Sequence, residues 1–335
     1  MKQADLIWMN GELVAWEDAK VHVLTHALHY GTGVFEGIRA YDTPRGTAIF
    51  RHQDHIDRLF RSAGMYLMDI PYTREELRAA THETIARNGL KSCYIRPLVY
   101  RGAGPMGLFP LDSPVEVAIA VWEWGSYLGD EGKRHGVRGK VSSFRRISSD
   151  SVIPAAKATG QYVNSVLAKI EAHKAGYEEA ILLDDRGMVC EGSGENLFFV
   201  RDGEIATPGF SADILGGINR TSAITIARDL GYTVVERDVA RGELYLADEI
   251  FMTGTAAELT PLRERLADLP TIATRMAARL GGRALRLEDA AAALLGRRGW
   301  SGNLGELAAV VAAAVARVPA DVDVLGPAAF LDAAP

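Results

Sequence analysis

Cysteine is nearly absent from this 335-residue chain. Cys93 and Cys190 stand far apart and outside any CxxC spacing, which excludes a disulfide framework and a zinc-thiolate site. Long apolar runs are missing too. No stretch of about 18 apolar residues occurs, and the N-terminal segment carries Asp5, Trp8, Glu12, Trp16 and Glu17 where a signal peptide needs an unbroken apolar core. A cytoplasmic chain without a membrane span is expected. Basic charge is short as well: 37 Lys and Arg stand against 43 Asp and Glu, for a formal net charge of −6, and no Lys/Arg-dense stripe offers a track for phosphates. Nucleic acid is therefore not an expected partner; small molecules are. What is present is core-forming material. The 48 % apolar content over this length suffices for two domains of ordinary size.

The pattern begins with short strands. Asp5 to Met9 and Glu12 to Ala15 flank Asn10-Gly11, a hairpin turn signal. Helices follow over 54–62 and 73–88, the second closed by Gly89, and then two buried strands, Tyr94 to Tyr100 and Val115 to Trp122. These make a small α+β domain over 1–124. Gly125, Gly129 and Gly132 give residues 125–133 the backbone freedom of an interdomain loop. The next domain, 134–265, opens with a helix over 161–175 whose Val163, Val166, Leu167 and Ile170 share one face. Hairpins over 180–190 and 196–206, a helix over 218–230 and strands over 233–237 and 249–253 complete it.

Several residues in these segments carry chemistry. Lys157 stands in an otherwise uncharged stretch, PAAKATGQYVN, just before a helix. A lysine nitrogen that forms an imine must shed its proton, which burial promotes. Taken alone, a lysine at a helix start is ordinarily a solvated charge. Tyr162 lies five residues on, within reach of the same ligand or simply in the core. Glu191, in CEGSGENLF at a strand end, suits a buried partner for a ring nitrogen or a water-facing acid. Gly216-Gly217-Ile218-Asn219-Arg220 opens a helix whose free N–H groups suit a phosphate, with Thr255 and Arg58 as supplementary donors. His22, His26 and His29 have metal-like spacing, but no Asp or Cys completes a ligand set, and no metal is expected.

Taken together and in order, these motifs resemble the class IV, or fold type IV, pyridoxal-phosphate aminotransferases, and the branched-chain amino acid aminotransferases among them. HALHYGTGVFEGIR (26–39), YIRPL (94–98), WGSYLG (124–129), the stretches around Lys157 and Glu191, LGGINR (215–220) and FMTGTAAELTP (251–261) carry the likeness. The resemblance implies a two-domain α+β fold, a small α+β domain plus a larger pseudo-barrel β domain with helices. It also implies pyridoxal 5'-phosphate as cofactor. Lys157 would be the catalytic residue, joined to the cofactor as an imine and carrying the proton of the substrate α-carbon. Tyr162 would bond the phenolic oxygen and Glu191 the pyridine nitrogen. Arg58, the amides of Ile218 and Asn219, and Thr255 would bind the phosphate. Asn219 departs from the family's usual threonine. Tyr94, Arg96 and the turn Thr255-Ala256-Ala257 would take the substrate carboxylate. Tyr30, Phe35, Trp124, Tyr127 and Tyr162 would wall the side-chain pocket, with Tyr30, Arg39 or Arg96 reaching glutamate's second carboxylate. The implied reaction is reversible transfer of the amino group of leucine, isoleucine or valine to 2-oxoglutarate, in a homodimer or larger homo-oligomer. A D-amino acid or amine transaminase, an aminodeoxychorismate lyase, and a catalytically silent cofactor-binding protein are the rival readings.

The likeness stops near residue 263. From 266 to 335 lysine is absent and Ala, Leu, Arg and Gly dominate. The family's glycine hairpin, Gly-Pro-x-Thr segment and terminal helix are missing from this atypical segment. A GC-rich gene read out of frame has this composition, and so has a divergent extension. Alanine runs bury little area, so poor packing and no active-site residue are expected there.

Overall fold

The computed structural model describes residues 3–124, 136–256 and 258–262, and further on 277, 285–291, 295, 303–319 and 323–330. The expected interdomain loop, 125–133, and with it Tyr127, lies outside the described residues, as does Ala257.

The first sheet is antiparallel and seven-stranded. Its strands are β1 (Leu6–Met9), β2 (Glu12–Ala15), β3 (Gly33–Phe35), β4 (Ile38–Thr43), β5 (Gly46–Ile49), β6 (Cys93–Arg101) and β7 (Val115–Trp122). They run in the order β2-β1-β7-β6-β4-β5, with β3 also paired to β6. The Asn10-Gly11 turn takes positive φ at both residues, as a tight hairpin of this hand requires. Two helices, α2 (His52–Met65) and α3 (Arg74–Arg87), follow a five-residue α1 (His26–Tyr30). Ile56 and Leu59 of α2 and Leu77 of α3 pack with Ile38, Ile95 and Ile119 in the core. α3 starts in a capping box in which the Thr73 hydroxyl accepts from the Glu76 amide and the Glu76 carboxylate accepts from the Thr73 amide. α2 also buries His55, Arg58 and Ser62, polar side chains that apolar periodicity does not announce.

The second sheet is built from β8 (Gly139–Arg145), β9 (Glu179–Leu183), β10 (Val189–Gly192), β11 (Asn196–Arg201), β12 (Glu204–Thr207), β13 (Thr233–Glu236), β14 (Glu249–Gly254) and β15 (Glu258–Pro261). The order is β13-β12-β11-β10-β9-β8, and β14 joins β11 to β15. Val189, Leu197, Phe199, Val239 and Met252 fill its core. Two helices accompany it, α4 (Tyr162–Lys174) and α5 (Ile218–Asp229). α4 corrects the sequence reading. Its apolar stripe Val163, Val166, Leu167 and Ile170 is exposed, and the helix instead buries Ser165, Ala168 and Ala172. Small residues let α4 approach β9 closely, where Ala168 and Ala172 meet Ala180 and Leu182.

The described tail also departs from expectation. Leu285, Leu295, Val310, Val311, Leu325 and Phe330 form an apolar cluster of their own, with β16 (Arg286–Leu287) parallel to β17 (Val324–Leu325) and α6 over Asn303–Arg317. Alanines pack here as small partners of larger residues rather than as voids. Among the described residues no helix is long and apolar enough to cross a membrane.

Candidate active site

Lys157 sits where the two sheets meet. Its amide donates to Ser62 Oγ of α2 at 3.1 Å, and its carbonyl accepts from the Phe35 amide of β3 at 3.0 Å. The next residue, Ala158, bridges to Val34. Beyond it the Thr159 hydroxyl donates to the Gly31 carbonyl, and the chains come so close that a Cβ on Gly31 would lie 2.7 Å from Gly160 Cα. Gly31 adopts φ +65°, so glycine meets both the space and the backbone demand.

The Lys157 Nζ donates to Tyr162 Oη at 2.8 Å, one turn into the helical segment that follows. Lys157, Tyr162, Arg146, Glu191, Asn196 and Leu215 line one pocket. Glu191 of β10 lies opposite Asn196 of β11. Its Oε1 meets Arg146 Nε at 3.0 Å, while Oε2 accepts from the Leu215 amide at 3.0 Å and from Asn196 Nδ2 at 3.3 Å. Burial raises this carboxyl above its ordinary range, and the Arg146 charge and Leu215 amide pull against that. A carboxylate has about four acceptor positions; two hydrogen bonds fill those of Oε2, while Arg146 meets Oε1 as an ion pair and gives its Nε hydrogen to the Asp213 carbonyl, which leaves Oε1 able to accept from a donor in the pocket.

α5 begins three residues after Leu215 of the pocket lining. Its N-cap, Gly217, makes no side-chain capping bond, and Ile218 and Asn219 occupy the first turn, where no intrahelical acceptor exists for their amides. Asn219 Nδ2 donates to the Gly254 carbonyl at 3.0 Å, which brings the turn carrying Thr255 and Ala256 against the helix start. Asn219 Oδ1 and the Thr253 hydroxyl are buried without a partner among the described residues. A Cβ on Gly217 would fall 2.0 Å from Asn196 Oδ1. Arg58 reaches the same place from α2, its Nη1 donating to the Gly216 carbonyl at 2.9 Å. The rest of its guanidinium is spent on Glu36, Nε to Oε1 at 2.6 Å and Nη2 to Oε2 at 2.9 Å. Glu36 is fully buried. Burial raises its carboxyl, but Arg58 and His55 outweigh that and hold it well below the ordinary range.

An aromatic wall adjoins the lysine. The Phe35 ring lies 5.0 Å from Lys157 Nζ and edge-on to Tyr162 at 4.8 Å. Arg96 stacks over Phe35 at 4.8 Å and over Tyr94 at 5.3 Å, and Tyr94 stacks on Trp124 at 4.6 Å. Arg96 Nε is buried without a hydrogen-bond partner among the described residues, as is Arg39 Nε; Arg39 Nη1 faces Glu258 at 3.5 Å. Lys157, Tyr162, Glu191, Phe35, Tyr94, Arg96 and Trp124 thus fall into one neighbourhood, with Arg58, Ile218, Asn219 and Thr255 around the α5 start. Tyr30 stands apart: its ring packs on His26 and His29 and is half exposed. Those two histidines bond the Thr32 hydroxyl and the Gly107 and Val23 carbonyls, and among the described residues no group of metal ligands converges.

Comparison with known proteins gives the family. The family model for amino-transferase class IV matches residues 33–264. The chain belongs to the class IV aminotransferases. It is 51 % identical over 267 residues to the branched-chain-amino-acid aminotransferase of Pseudomonas aeruginosa, covering 79 % of this chain and 87 % of that one. The crystal structure of the Escherichia coli branched-chain amino acid aminotransferase superposes with a TM-score of 0.77 at 49 % identity, covering 78 % of this chain and 86 % of that one. The T.th. branched-chain amino acid aminotransferase complexed with N-(5'-phosphopyridoxyl)-L-glutamate superposes with a TM-score of 0.74 at 52 % identity, covering 78 % and 86 %. The two-domain type IV fold expected from the motifs is the fold of these neighbours.

Sequence reasoning missed Arg146, Glu36, Ser62 and Asn196 as parts of the site. Arg146 has no local signature, since only the fold carries the end of β8 to Glu191. Glu36 lies inside the N-terminal motif, and a charged residue there among apolar neighbours was its available signal.

Proposed function

We propose that this chain is a branched-chain-amino-acid aminotransferase, moving the amino group of leucine, isoleucine or valine reversibly to 2-oxoglutarate with pyridoxal 5'-phosphate. The observation that carries the reading is one pocket holding a lysine amine, a tyrosine hydroxyl beside it and a buried carboxyl with an oxygen left to accept a hydrogen bond, walled by aromatic rings. The residues fit the cofactor: the first-turn amides of α5, the orphaned Thr253 hydroxyl and Asn219 Oδ1, and one edge of Arg58 gather where a phosphate belongs.

When bound, the cofactor supplies a protonated pyridine ring that accepts the electron pair released at the substrate α-carbon. Glu191 keeps that nitrogen protonated by carrying the opposite charge at a buried position. Lys157 holds the cofactor and then takes and returns the proton at the substrate α-carbon, with Tyr162 Oη fixing the position of the amine. Arg58, Ile218, Asn219 and Thr255 hold the phosphate. Phe35, Tyr162 and Trp124 give a branched side chain an apolar box, where burial contributes roughly 1.5–3 kcal/mol, and Tyr94 stands with Arg96 on the carboxylate side. Arg96 and Arg39, each with a buried Nε lacking a partner, supply the charge for carboxylates, and Ala256 and Ala257 the turn beside them. The glutamate conjugate in the T.th. structure supports a pocket that serves both half-reactions.

The division into a small domain to residue 124 and a cofactor domain over 134–265, a cytoplasmic location and a homodimer or larger homo-oligomer are parts of the same proposal. The last is supported by exposed apolar side chains at Val23, Leu28, Leu108 and Phe109, which a second copy would cover. The deciding experiment is turnover of Lys157→Ala with L-leucine and 2-oxoglutarate, alongside wild type tested with D-alanine. Loss of all but a few per cent of activity is expected from the variant. D-alanine turnover without L-leucine turnover overturns the substrate assignment.

A further inference from the structure

Two carboxyl groups that the reaction does not use lie under the pocket. Glu195, 4 % exposed, and Glu179, fully buried, lie beneath one turn, where their carboxyls accept from the consecutive amides of Gly194 and Ser193. The hairpin from β10 to β11 turns through Ser193, Gly194 and Glu195, and that turn lines the pocket between Lys157 and Glu191. Glu195 folds beneath its own turn: its carboxyl accepts from the Gly194 amide at 3.0 Å, and its carbonyl accepts from the Gly192 amide at 2.7 Å. Glu179, on β9, accepts from the Ser193 amide at 3.2 Å and from the Ala180 amide at 2.7 Å. A Cβ on Gly192 would meet Glu195 Oε2 at 2.9 Å, and one on Gly254 would meet Glu195 Cγ at 3.2 Å, so glycines on both sides admit the buried carboxyl. The next residue, Asn196, donates to Glu191 and to the Leu215 carbonyl.

Two buried carboxyls in contact bond only if one proton lies between them, since two anions repel where water cannot screen them. Lys169 of α4 pairs with Glu179, which fixes the charge there and the proton on Glu195. The charged groups facing Glu195 are therefore Glu179 from β9 and Lys169 from α4. Glu191 of β10, Arg146 after β8 and Lys157 share the pocket, and Gly254 of β14 brings no charge. Burial first, and then the Glu179 charge, push the Glu195 carboxyl up to about 8, against the pull of Lys169.

We propose that Glu195 is a positioning residue that shares one proton with Glu179 beneath the pocket. The shared proton holds the Ser193–Glu195 turn and, through Asn196, the Glu191 carboxyl where the pyridine nitrogen binds. This rests on the cofactor reading above. Loss of the proton sets two anions against each other, loosens the turn and weakens cofactor binding.

The test compares wild type with Glu195→Gln, which keeps a donor for Glu179 and cannot ionise. Affinity for added pyridoxal 5'-phosphate and thermal midpoint are both followed from about pH 6 to about pH 9.5. A group with its folded pKa raised stabilises fully below its unfolded value, and that contribution is lost as pH rises through the folded value. The wild-type midpoint should therefore fall relative to that of Glu195→Gln from about pH 6 to about pH 8 and run level with it above that. Wild-type affinity should drop about tenfold per pH unit above 8, while that of Glu195→Gln stays level. Should Glu195→Gln not fold, Lys169→Met asks the same question, because removing the cation moves the affinity break to higher pH. Parallel affinity curves for wild type and Glu195→Gln, or an unmoved break in Lys169→Met, overturn the proposal. A chain that binds no pyridoxal phosphate at any pH sinks the cofactor reading instead. The divergence of the two thermal midpoints then still decides whether the shared proton exists, and its absence refutes it.

Discussion

Glu191 and Glu36 are both buried carboxyls, yet their neighbours give them opposite tasks. Glu191 keeps an acceptor position open toward the pocket, so its charge matters when electron density moves at the α-carbon. Glu191→Gln should lower kcat far more than it raises the KM for leucine, and steady-state kinetics read this directly. A change confined to KM makes Glu191 a binding residue. Glu36 has no open position toward the pocket; Arg58 and His55 occupy it. Removing one partner of a buried pair leaves the other charge uncompensated, so Glu36→Gln should cost about 3–5 kcal/mol in denaturant unfolding at neutral pH. Since the Glu36 carboxyl is held below its ordinary range, its contribution is present above that range and fades as pH falls. The gap between wild type and variant should narrow in acid. Lys157, Tyr162 and Glu191 were legible in the sequence because a family motif surrounds each of them. Arg146 was not, since nothing in its neighbours distinguishes it from a surface arginine until β8 is placed beside β9.

Elements were legible where local chemistry decides them. The Asn10-Gly11 turn, the β6 and β7 strands and the α5 helix stand within a residue or two of their sequence limits. α4 exposes the limit of that reading. Its amphipathic pattern was clear, but periodicity cannot say which face a sheet selects, and β9 selected the alanines. The same contrast separates two substitutions. Thr73→Ala removes the α3 cap, far from the pocket, and should cost about 1 kcal/mol of stability without changing KM. Gly217→Ala drives a methyl group into Asn196 Oδ1 and shifts the first turn of α5. Affinity for pyridoxal phosphate should fall roughly tenfold or more, equivalent to about 1.4 kcal/mol, and a spectroscopic titration measures it. Unchanged affinity would remove the α5 start from the phosphate site.

For the molecule as a whole, the match to the family ends where the second sheet ends, and the described tail keeps a separate apolar cluster. No described tail residue lines the pocket. A chain ended after residue 265 should therefore still bind pyridoxal phosphate and turn over leucine, and loss of both would show that the tail has replaced a missing part of the fold. The composition shift that marked this boundary said nothing of packing, because a small core needs only a few Leu, Val and Phe among its alanines. The seam at Lys157 has a consequence for how the enzyme is born. One backbone group of that residue is tied to α2 and the other to β3, while its partners on the pocket wall come from β10 and α4. A nascent chain with only one sheet formed owns no cofactor site at all. Vitamin capture is then the last event of maturation, and during refolding the colour of the holoenzyme should arrive after backbone order has already recovered.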